Sequence, residues 1–248
     1  MKALNDCLTE LISRLDDNTE IRSILADKNI HPFTREGHIL AYLIDAGIIS
    51  YDDYRVIYRQ YTERNKYLEL FDLAPRTFGE TWGENHIRSL FPEFRKASTR
   101  ELAGIIPEFD GEFDLWHDDG IRIEVKACRA NRTSSKESLT SRAYLHAEAK
   151  QAQFKYHYQQ LKPSCYDVFI WIGVCRDDLI YWVLTSKELI STGKLGPQHR
   201  NVNTGNRDAE VYEGQVFMTE EELSPYMVRE ADVLSEVREK FRLSRIGR

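Results

Sequence analysis

Residues 107–130, PEFDGEFDLWHDDGIRIEVKACRA, contain two short runs in which apolar and polar residues alternate. The runs cover residues 112–117 and 121–128, and alternation with a period of two is typical of strands with one buried face. Between them, Asp118-Asp119-Gly120 fits a three-residue connection that ends with glycine in the left-handed conformation. The sequence therefore predicts a β-hairpin with its turn at residues 118–120.

The length of this connection determines which residues face each other across the hairpin. Three residues place Asp114 opposite Glu124 and Glu112 opposite Lys126, and directly opposed residues share one face of a sheet. We therefore expect the charged residues on the outer face and the apolar set in the core. A two-residue turn would shift the register and move Asp114 away from the Glu124 position.

Two opposed carboxylates repel each other unless a positive charge lies between them. Oxygen ligands with space for water suit Mg²⁺, which binds one or two carboxylates together with the oxygens of a phosphate. Lys126 would point to the same place, where its charge can stabilise a developing phosphorane or lower the pKa of an attacking water. Asp114, Glu124 and Lys126 are thus candidates for hydrolysis of a phosphodiester. The alternative is a solvated charged face in which Lys126 offsets the acids.

The composition is that of one large domain or two small ones. The 248 residues are 42% hydrophobic and carry a formal net charge of −6, which argues against a protein that coats nucleic acid non-specifically. There is neither an apolar run of about 18 residues nor a signal-peptide core, so we expect no membrane partner and a cytoplasmic location. The four scattered cysteines indicate neither a zinc site nor a redox pair.

Three regions follow one another along the chain. Residues 1–75 have helical periodicity and are assigned to DNA binding or dimerisation. Residues 76–190 form the predicted core, with a helix that starts at Phe78, the hairpin, a long helix over 139–161 and two buried strands. Residues 191–248 begin with a polar loop and end in a helix. This order predicts an α/β or α+β fold in which a small mixed β-sheet is flanked by helices, with a helical N-terminal portion.

At the hairpin the sequence resembles the PD-(D/E)XK nuclease superfamily, and within it the Type II restriction endonucleases. The family pattern is an acid at the start of one strand, followed on the next strand by Glu or Asp, any residue, and Lys. Here Asp114 is followed, after nine residues, by Glu124-Val125-Lys126. The Pro107-Glu108 pair departs from the first half of the pattern, and Asp110 is a rival to Asp114 as the first acid. The resemblance covers roughly residues 76–185 and implies a restriction-endonuclease-like core of order αβββαβ, of which one strand is not evident here.

The resemblance also implies a chemistry, namely Mg²⁺-dependent hydrolysis that leaves a 5′-phosphate and a 3′-hydroxyl. Lys126 would orient or activate the attacking water. Family members often add an acid from the helix before the first strand, and Glu84 is a better candidate for that role than Glu80, one turn away. The implied metal ligands are Asp114, Glu124 and the carbonyl of Val125.

A positively charged segment follows the proposed site. Residues 126–162 contain eight Lys or Arg and only two acids, a local net charge of +6 in an acidic chain, which favours contact with phosphates. Gln153, on the predicted long helix, would position a backbone phosphate. The alternative is a solvated polar loop. The candidate DNA contacts are Arg129, Arg132, Lys136, Arg142, Lys150 and Gln153.

The polar loop QHRNVNTGNRD, residues 198–208, is a second candidate for DNA contact. Arg reads guanine, and Asn or Gln reads adenine, in the major groove. Asn and Gly are also turn-forming residues, so a loop without a recognition role is the alternative. The candidate base contacts are His199, Arg200, Asn201, Asn203 and Arg207.

The leading hypothesis is therefore a Type II restriction endonuclease that cuts double-stranded DNA with Mg²⁺. A homodimer is expected because a palindromic site matches a two-fold axis, and a cognate DNA methyltransferase is expected as a genetic partner. The alternatives are a repair or junction-resolving nuclease of the same superfamily and a non-catalytic DNA-binding protein.

Overall fold

The computed structural model describes residues 43–106, 109, 111–133, 136–198 and 213–246. The chain divides into two units between Tyr61 and Thr62, whereas the sequence suggested a boundary near residue 75. Most of the predicted N-terminal helices lie in residues 1–42, outside the described residues. Within the described ranges, no helix combines the length and the apolar character that crossing a membrane requires.

Helix α1, Tyr51–Arg64, begins with a reciprocal cap. The N–H of Asp53 donates to Ser50 Oγ at 3.1 Å, and the N–H of Ser50 donates to Asp53 Oδ2 at 2.9 Å. In the sequence, Ser50 with Asp53 three residues later predicts a helix that begins here and continues to about residue 71; the start is confirmed, but the end is not. The chain instead leaves α1 at Arg64 and forms a separate 3₁₀ turn, Leu68–Phe71.

Short helices and strands follow one another along the larger unit. Its helices are α2 Pro75–Thr77, α3 Gly83–Leu90, α4 Thr99–Leu102, α5 Leu139–Arg142, α6 His146–Gln151, α7 Ser186–Ser191, α8 Glu220–Leu223 and α9 Val233–Ile246. A π-helical turn, Phe78–Trp82, joins α2 to α3. Its strands are β1 Arg95–Lys96, β2 Leu115–His117, β3 Ile121–Arg129, β4 Lys155–Leu161, β5 Val168–Val174, β6 Leu179–Thr185, β7 Gly196–Pro197, β8 Gly214–Thr219 and β9 Met227–Val228.

These strands form two sheets. The larger has the order β1-β2-β3-β5-β6-β9, in which β3 and β5 are parallel and the other neighbouring strands are antiparallel. The smaller has the order β4-β8-β7 and is antiparallel. The described chain is thus a mixed α/β structure with a mixed sheet and flanking helices, as the sequence predicted.

Both faces of the larger sheet are buried, and they differ in chemistry. One face is aliphatic, and Ile123 and Val125 of β3 pack there with residues of α3 and α9. The other face is aromatic, and Trp171 of β5 stacks on Tyr158 of β4 with ring centroids 4.4 Å apart. A central strand covered on both sides has an uninterrupted apolar sequence, as β5, VFIWIGV, does along its whole length.

The prediction of one long helix over residues 139–161 is wrong for the second half of that range. Helices α5 and α6 occupy the first half, but the second half forms strand β4 and pairs with β8. In β4, Tyr156 and Tyr158 are buried while the residues beside them are half-buried or exposed, which is the period of a strand. Tyr158 lies opposite Val216, and so distant a partner cannot be read from local periodicity.

The predicted hairpin has the predicted register. His117 lies opposite Ile121, and Leu115 lies opposite Ile123. The N–H of Gly120 donates to the carbonyl of His117 at 2.9 Å, and Gly120 has a φ of 80°. The three-residue connection is therefore confirmed, and its last position requires the left-handed conformation that glycine adopts without strain.

Candidate active site

The two strands of the hairpin separate at Asp114, one residue before β2 begins. The N–H of Asp114 donates to the carbonyl of Ile123 at 3.1 Å, and its carboxylate Oδ2 accepts the N–H of Val125 at 2.9 Å. The Asp114 carboxylate thus accepts a hydrogen bond from the β3 backbone at the position where a longer β2 would have continued the backbone pairing of the two strands. Because the N–H and C=O of one strand residue project to the same side, the Val125 carbonyl also projects toward Asp114.

The predicted pairing of Glu112 with Lys126 is not formed. The regular register between the strands ends at Leu115, so the alternation that we extrapolated back to Glu112 does not continue. Instead, the charge of Glu112 acts on Arg122, whose pKa is raised by its bonds to Asp167 and further by this acid. Glu112 therefore belongs to the same hairpin, but its charge acts on Arg122, which lies outside the candidate site.

Glu124 and Lys126 lie two residues apart on one face of β3 and form an ion pair. Their side chains are only 7% and 19% exposed. On the neighbouring strand β5, Glu124 lies beside Phe169 and Lys126 beside Trp171, so the pair belongs to the aromatic face. The expectation that these residues occupy a solvated outer face is wrong, because the smaller sheet and the aromatic core pack over this side of β3.

Glu84, on α3, lies near enough to Asp114 and Lys126 for their charges to affect its pKa. The resemblance implied an additional acid from this helix. Helix α3 approaches β3 closely at Gly83, where a Cβ atom would lie 3.4 Å from Val125 Cγ1 and 3.6 Å from the Ala127 Cβ. The Glu84 side chain is 13% exposed and pairs with Lys96 Nζ of β1 at 3.1 Å. Sequence reasoning missed Lys96, because β1 is only two residues long and gives no periodic signal. The side chain of Glu80 lies outside the described part of the chain.

Protonation of Glu84, Glu124 and Lys126 is favoured in this cluster. Burial raises the pKa of Glu124 to about 8, and the Asp114 carboxylate contributes to the increase although Lys126 opposes it. Burial also raises the pKa of Glu84, again with a contribution from Asp114. Burial alone would lower the pKa of Lys126, but Glu124, Asp114 and Glu84 together raise it. If all three carboxyls were ionised, they would carry one more negative charge than Lys126 and Lys96 neutralise, and a bound cation would offset that charge in place of the protons.

The donor set of the cluster suits Mg²⁺. Asp114 and Glu124 offer carboxylate oxygens, and Val125 offers a backbone carbonyl, which are the ligand types this ion takes. In the described residues, no three His, Cys, Asp or Glu side chains are already arranged as metal ligands. Lys126 contacts Glu124, and the N–H of Val125 contacts Asp114, so an incoming cation would share or replace these partners.

Arg129, the first candidate DNA contact, is bound to the protein itself. Its guanidinium Nη1 donates to the carbonyls of Leu70 at 3.1 Å, Phe71 at 3.3 Å and Leu73 at 2.9 Å. The same group lies 4.4 Å from the centroid of the Phe78 ring. These contacts give Arg129 a structural role, in which it satisfies the carbonyls at the end of the 3₁₀ turn.

The other candidates in this segment have protein partners or are exposed. Arg132 Nη2 lies 2.9 Å from Glu148 Oε2, Arg142 donates to the carbonyl of Arg132 at 3.1 Å, and Lys150 Nζ lies 3.3 Å from Glu220 Oε1. Lys136 is exposed. Contact of any of them with DNA remains a prediction.

Gln153 does not lie on a helix, so the reason for selecting it is wrong. It is an exposed residue between α6 and β4 with a φ of 48°, and a left-handed residue ends helical geometry. The rival acid Asp110 and the polar-loop residues lie outside the described residues, and their roles remain predictions. Those polar-loop residues are His199, Arg200, Asn201, Asn203 and Arg207.

Comparison with known proteins adds no family assignment. No protein-family model matches the sequence, and no curated protein matches it significantly.

Proposed function

We propose that this protein is a Mg²⁺-dependent nuclease of the PD-(D/E)XK type that hydrolyses phosphodiester bonds in double-stranded DNA, as a Type II restriction endonuclease. The observation that carries the proposal is the convergence of Glu84, Asp114, Glu124 and Lys126 where β2 separates from β3. These residues come from three elements and are electrostatically coupled. Perturbed ionisable groups gathered at one place are typical of reaction centres.

The order of elements also supports the proposal. The resemblance implied a core of order αβββαβ, and the chain has α3, then the antiparallel strands β1, β2 and β3 with the short helix α4 between β1 and β2, then the helices α5 and α6. Strand β5, parallel to β3, follows after β4 of the smaller sheet. We infer that strand β1, Arg95–Lys96, is the strand of that core that was not evident in the sequence. It also contributes Lys96, which pairs with Glu84.

The chemistry assigns a separate task to each side chain. Asp114, Glu124 and the Val125 carbonyl would hold Mg²⁺, which when bound supplies positive charge to the phosphate and lowers the pKa of a water. The Lys126 ammonium orients the water and stabilises negative charge on the phosphate oxygens. The water oxygen attacks phosphorus in line and gives up a proton to solvent, while the bond from phosphorus to O3′ breaks. O3′ takes up a proton from solvent, so the products are a 5′-phosphate and a 3′-hydroxyl.

The test is digestion of plasmid DNA with Mg²⁺, followed by sequencing of the ends. We expect a discrete ladder with 5′-phosphate ends that disappears when EDTA removes the metal. Asp114→Asn should abolish the ladder, because it removes a carboxylate at the point where the strands separate. Glu112→Gln is the matched control: it removes an acid two residues away on the same hairpin, and it should leave cleavage intact.

Other outcomes would favour the alternatives. Cleavage only of branched or damaged DNA would favour a repair or junction-resolving nuclease. Binding without cleavage under every divalent metal would favour a non-catalytic DNA-binding protein. Full cleavage by both Asp114→Asn and Lys126→Ala would contradict the proposed site.

The proposal includes the partners that a restriction endonuclease needs. We propose a homodimer acting on a palindromic site, which light scattering of the free protein and of its DNA complex tests directly. We also propose that a DNA methyltransferase is encoded beside this protein, and methylation by that enzyme should protect the plasmid from the ladder.

A further inference from the structure

Helix α9 carries three arginines along one stripe. Arg238, Arg242 and Arg245 follow one another at spacings of four and three residues, which places them on one side of a helix. They line a cleft of about 640 Å³ together with Ser235, Phe241 and Asp119, the last from the hairpin turn. Two acids, Asp119 and Glu239, also line it, so the cleft has a positive net charge.

The basic residue on the other side of α9 has a different environment. The Lys240 side chain is only 12% exposed, lies 2.6 Å from Glu188 Oε1 and faces the ring of Tyr226. Its charge is therefore used inside the protein. Arg242 is 61% exposed and has only a surface pair, with Glu239 at 2.8 Å, and such pairs are weak and exchange readily.

The arrangement suits the phosphates of a nucleic-acid backbone. Guanidinium groups bind phosphate oxygens with two parallel hydrogen bonds. From Arg238 to Arg245 the helix rises about 10 Å, a distance over which one strand of a duplex carries about three phosphates. Ser235 adds a hydroxyl of the kind that often bonds phosphate.

The cleft lies close to the candidate active site. Asp119 and Asp114 belong to the same hairpin and are five residues apart, which limits their Cα separation to about 17 Å. Arg238 Nε bonds Asp119 Oδ2 at 2.8 Å, so the stripe is attached to this hairpin. Helix α9 packs on the aliphatic face of the sheet, as does α3, which carries Glu84. The Cα of Asp119, at the edge of the cleft, thus lies no farther from the Cα of Asp114 than the axial length of about five base steps.

We propose that Arg238, Arg242 and Arg245 form a phosphate clamp that binds the backbone of the duplex beside the cleavage site. This inference rests on the proposed nuclease function and adds a DNA contact that sequence reasoning did not assign. The clamp contributes affinity and register without reading the base sequence.

The test measures the affinity for a duplex in Ca²⁺, used so that the bound DNA is not cut, at a series of salt concentrations. The slope of log affinity against log salt concentration is negative, and each lost phosphate contact reduces its magnitude by about 0.9. The double variant Arg242→Ala/Arg245→Ala should reduce this magnitude by about 2 and weaken binding on the order of tenfold at physiological salt. Arg229→Ala is the matched control, because Arg229 is 85% exposed, pairs with Asp232 three residues away as Arg242 does with Glu239, and lies outside the cleft.

The outcomes separate the clamp from the nuclease proposal. An unchanged slope in the double variant, with wild-type binding and cleavage intact, would overturn the clamp alone. An equal loss in Arg229→Ala would also overturn it, because a general charge effect would then explain the result. Absence of DNA binding by the wild-type protein would overturn both. If inorganic phosphate at millimolar concentration protects the wild type but not the double variant from thermal unfolding, and the duplex slope is unchanged, the cleft binds a free anion and the clamp fails.

Discussion

Two clusters of charged side chains in the larger unit differ in how far their acids are buried. Around His146, both ring nitrogens contact acids, Nδ1 with Asp178 at 3.0 Å and Nε2 with Glu220 at 2.8 Å, Lys150 also approaches Glu220, and the N–H of His146 donates to Asp177 at 2.8 Å. The side chains of Asp178 and Lys150 are 54% and 69% exposed, and the cluster joins α6, the turn before β6, and α8. Around Asp114, three carboxylates share Lys126 and the half-exposed Lys96.

The difference indicates what each cluster is for. The contacts around His146 join three elements at a place that water reaches, and a structural role accounts for them. Around Asp114, burial makes Glu84 and Glu124 hold protons that they would lose in water, and a cation bound there would take the place of those protons. A cluster of charged groups by itself is therefore a poor indicator of function, whereas buried acids with raised pKa values are a better one.

The largest expected effect comes from Lys126→Ala. Cleavage should fall on the order of 1000-fold, because this ammonium group orients the water and stabilises transition-state charge. Single-turnover rates at saturating DNA measure the loss. The comparison is Glu220→Gln in the His146 cluster, which should cut DNA at the wild-type rate once correctly folded protein is counted. Equal losses in both variants would show that the two clusters do not differ as we describe.

The next effect is a dependence of stability on pH. In the folded protein Glu124 keeps its proton up to about pH 8, whereas in the unfolded chain it ionises near 4.5. This contribution to folding is therefore fully present below about pH 4.5 and is lost as the pH rises through about 8. A rise of the Glu124 pKa from 4.5 to about 8, which already includes the opposing effect of Lys126, corresponds to a loss on the order of 3–5 kcal/mol.

Urea unfolding at several pH values measures this effect. Glu124→Gln should remove this part of the pH dependence, because a neutral amide does not titrate, while Glu220→Gln should retain it. Mg²⁺ should stabilise the wild type most at the high end of the range, where Glu124 loses its proton. Identical pH profiles for wild type and Glu124→Gln would contradict the assignment.

A smaller effect on stability is expected from Glu220→Gln. The substitution leaves His146 Nε2 and Lys150 without their carboxylate partner, and Glu220 is 7% exposed. The free energy of unfolding should fall by about 1–2 kcal/mol, the cost of disturbing a buried charged hydrogen bond. Urea titration followed by circular dichroism measures it, and Glu221→Gln, on the same helix but exposed, is the control that should leave stability unchanged.

The smallest effect is expected from Lys96→Ala. Its side chain is 55% exposed, and surface ion pairs contribute less than about 1 kcal/mol. Cleavage should decrease only a few-fold, through looser orientation of Glu84. A loss as large as that of Lys126→Ala would mean that Lys96 contacts the substrate itself.

The hairpin could be predicted because everything that determines it is local. The alternation of apolar residues and the glycine at position 120 together specify two strands, their register and their connection, and the structure has all three. That register was enough to bring Asp114 close to Glu124. Glu84 was reached only through the family resemblance, because no local pattern relates α3 to β3.

The errors come from partners that are distant in sequence. In the sequence, the residues of β4 look like the end of the preceding helix. Their strand conformation depends on pairing with β8, and in that conformation Tyr156 and Tyr158 cover the aromatic face. Because that cover was not foreseen, Glu124 and Lys126 were assigned to solvent. The role of Arg129 was missed for a similar reason, since its acceptors lie almost sixty residues earlier in the chain.

The three-residue connection at 118–120 has a consequence for how this gene can vary. Substitutions at Asp118 or Asp119 would leave the number of residues in the bend unchanged, and the carboxylates would still meet. Loss of a single codon there would shift β2 by one position relative to β3 and put Asp114 across from an apolar side chain. Natural variants should therefore tolerate substitutions in this connection but not insertions or deletions.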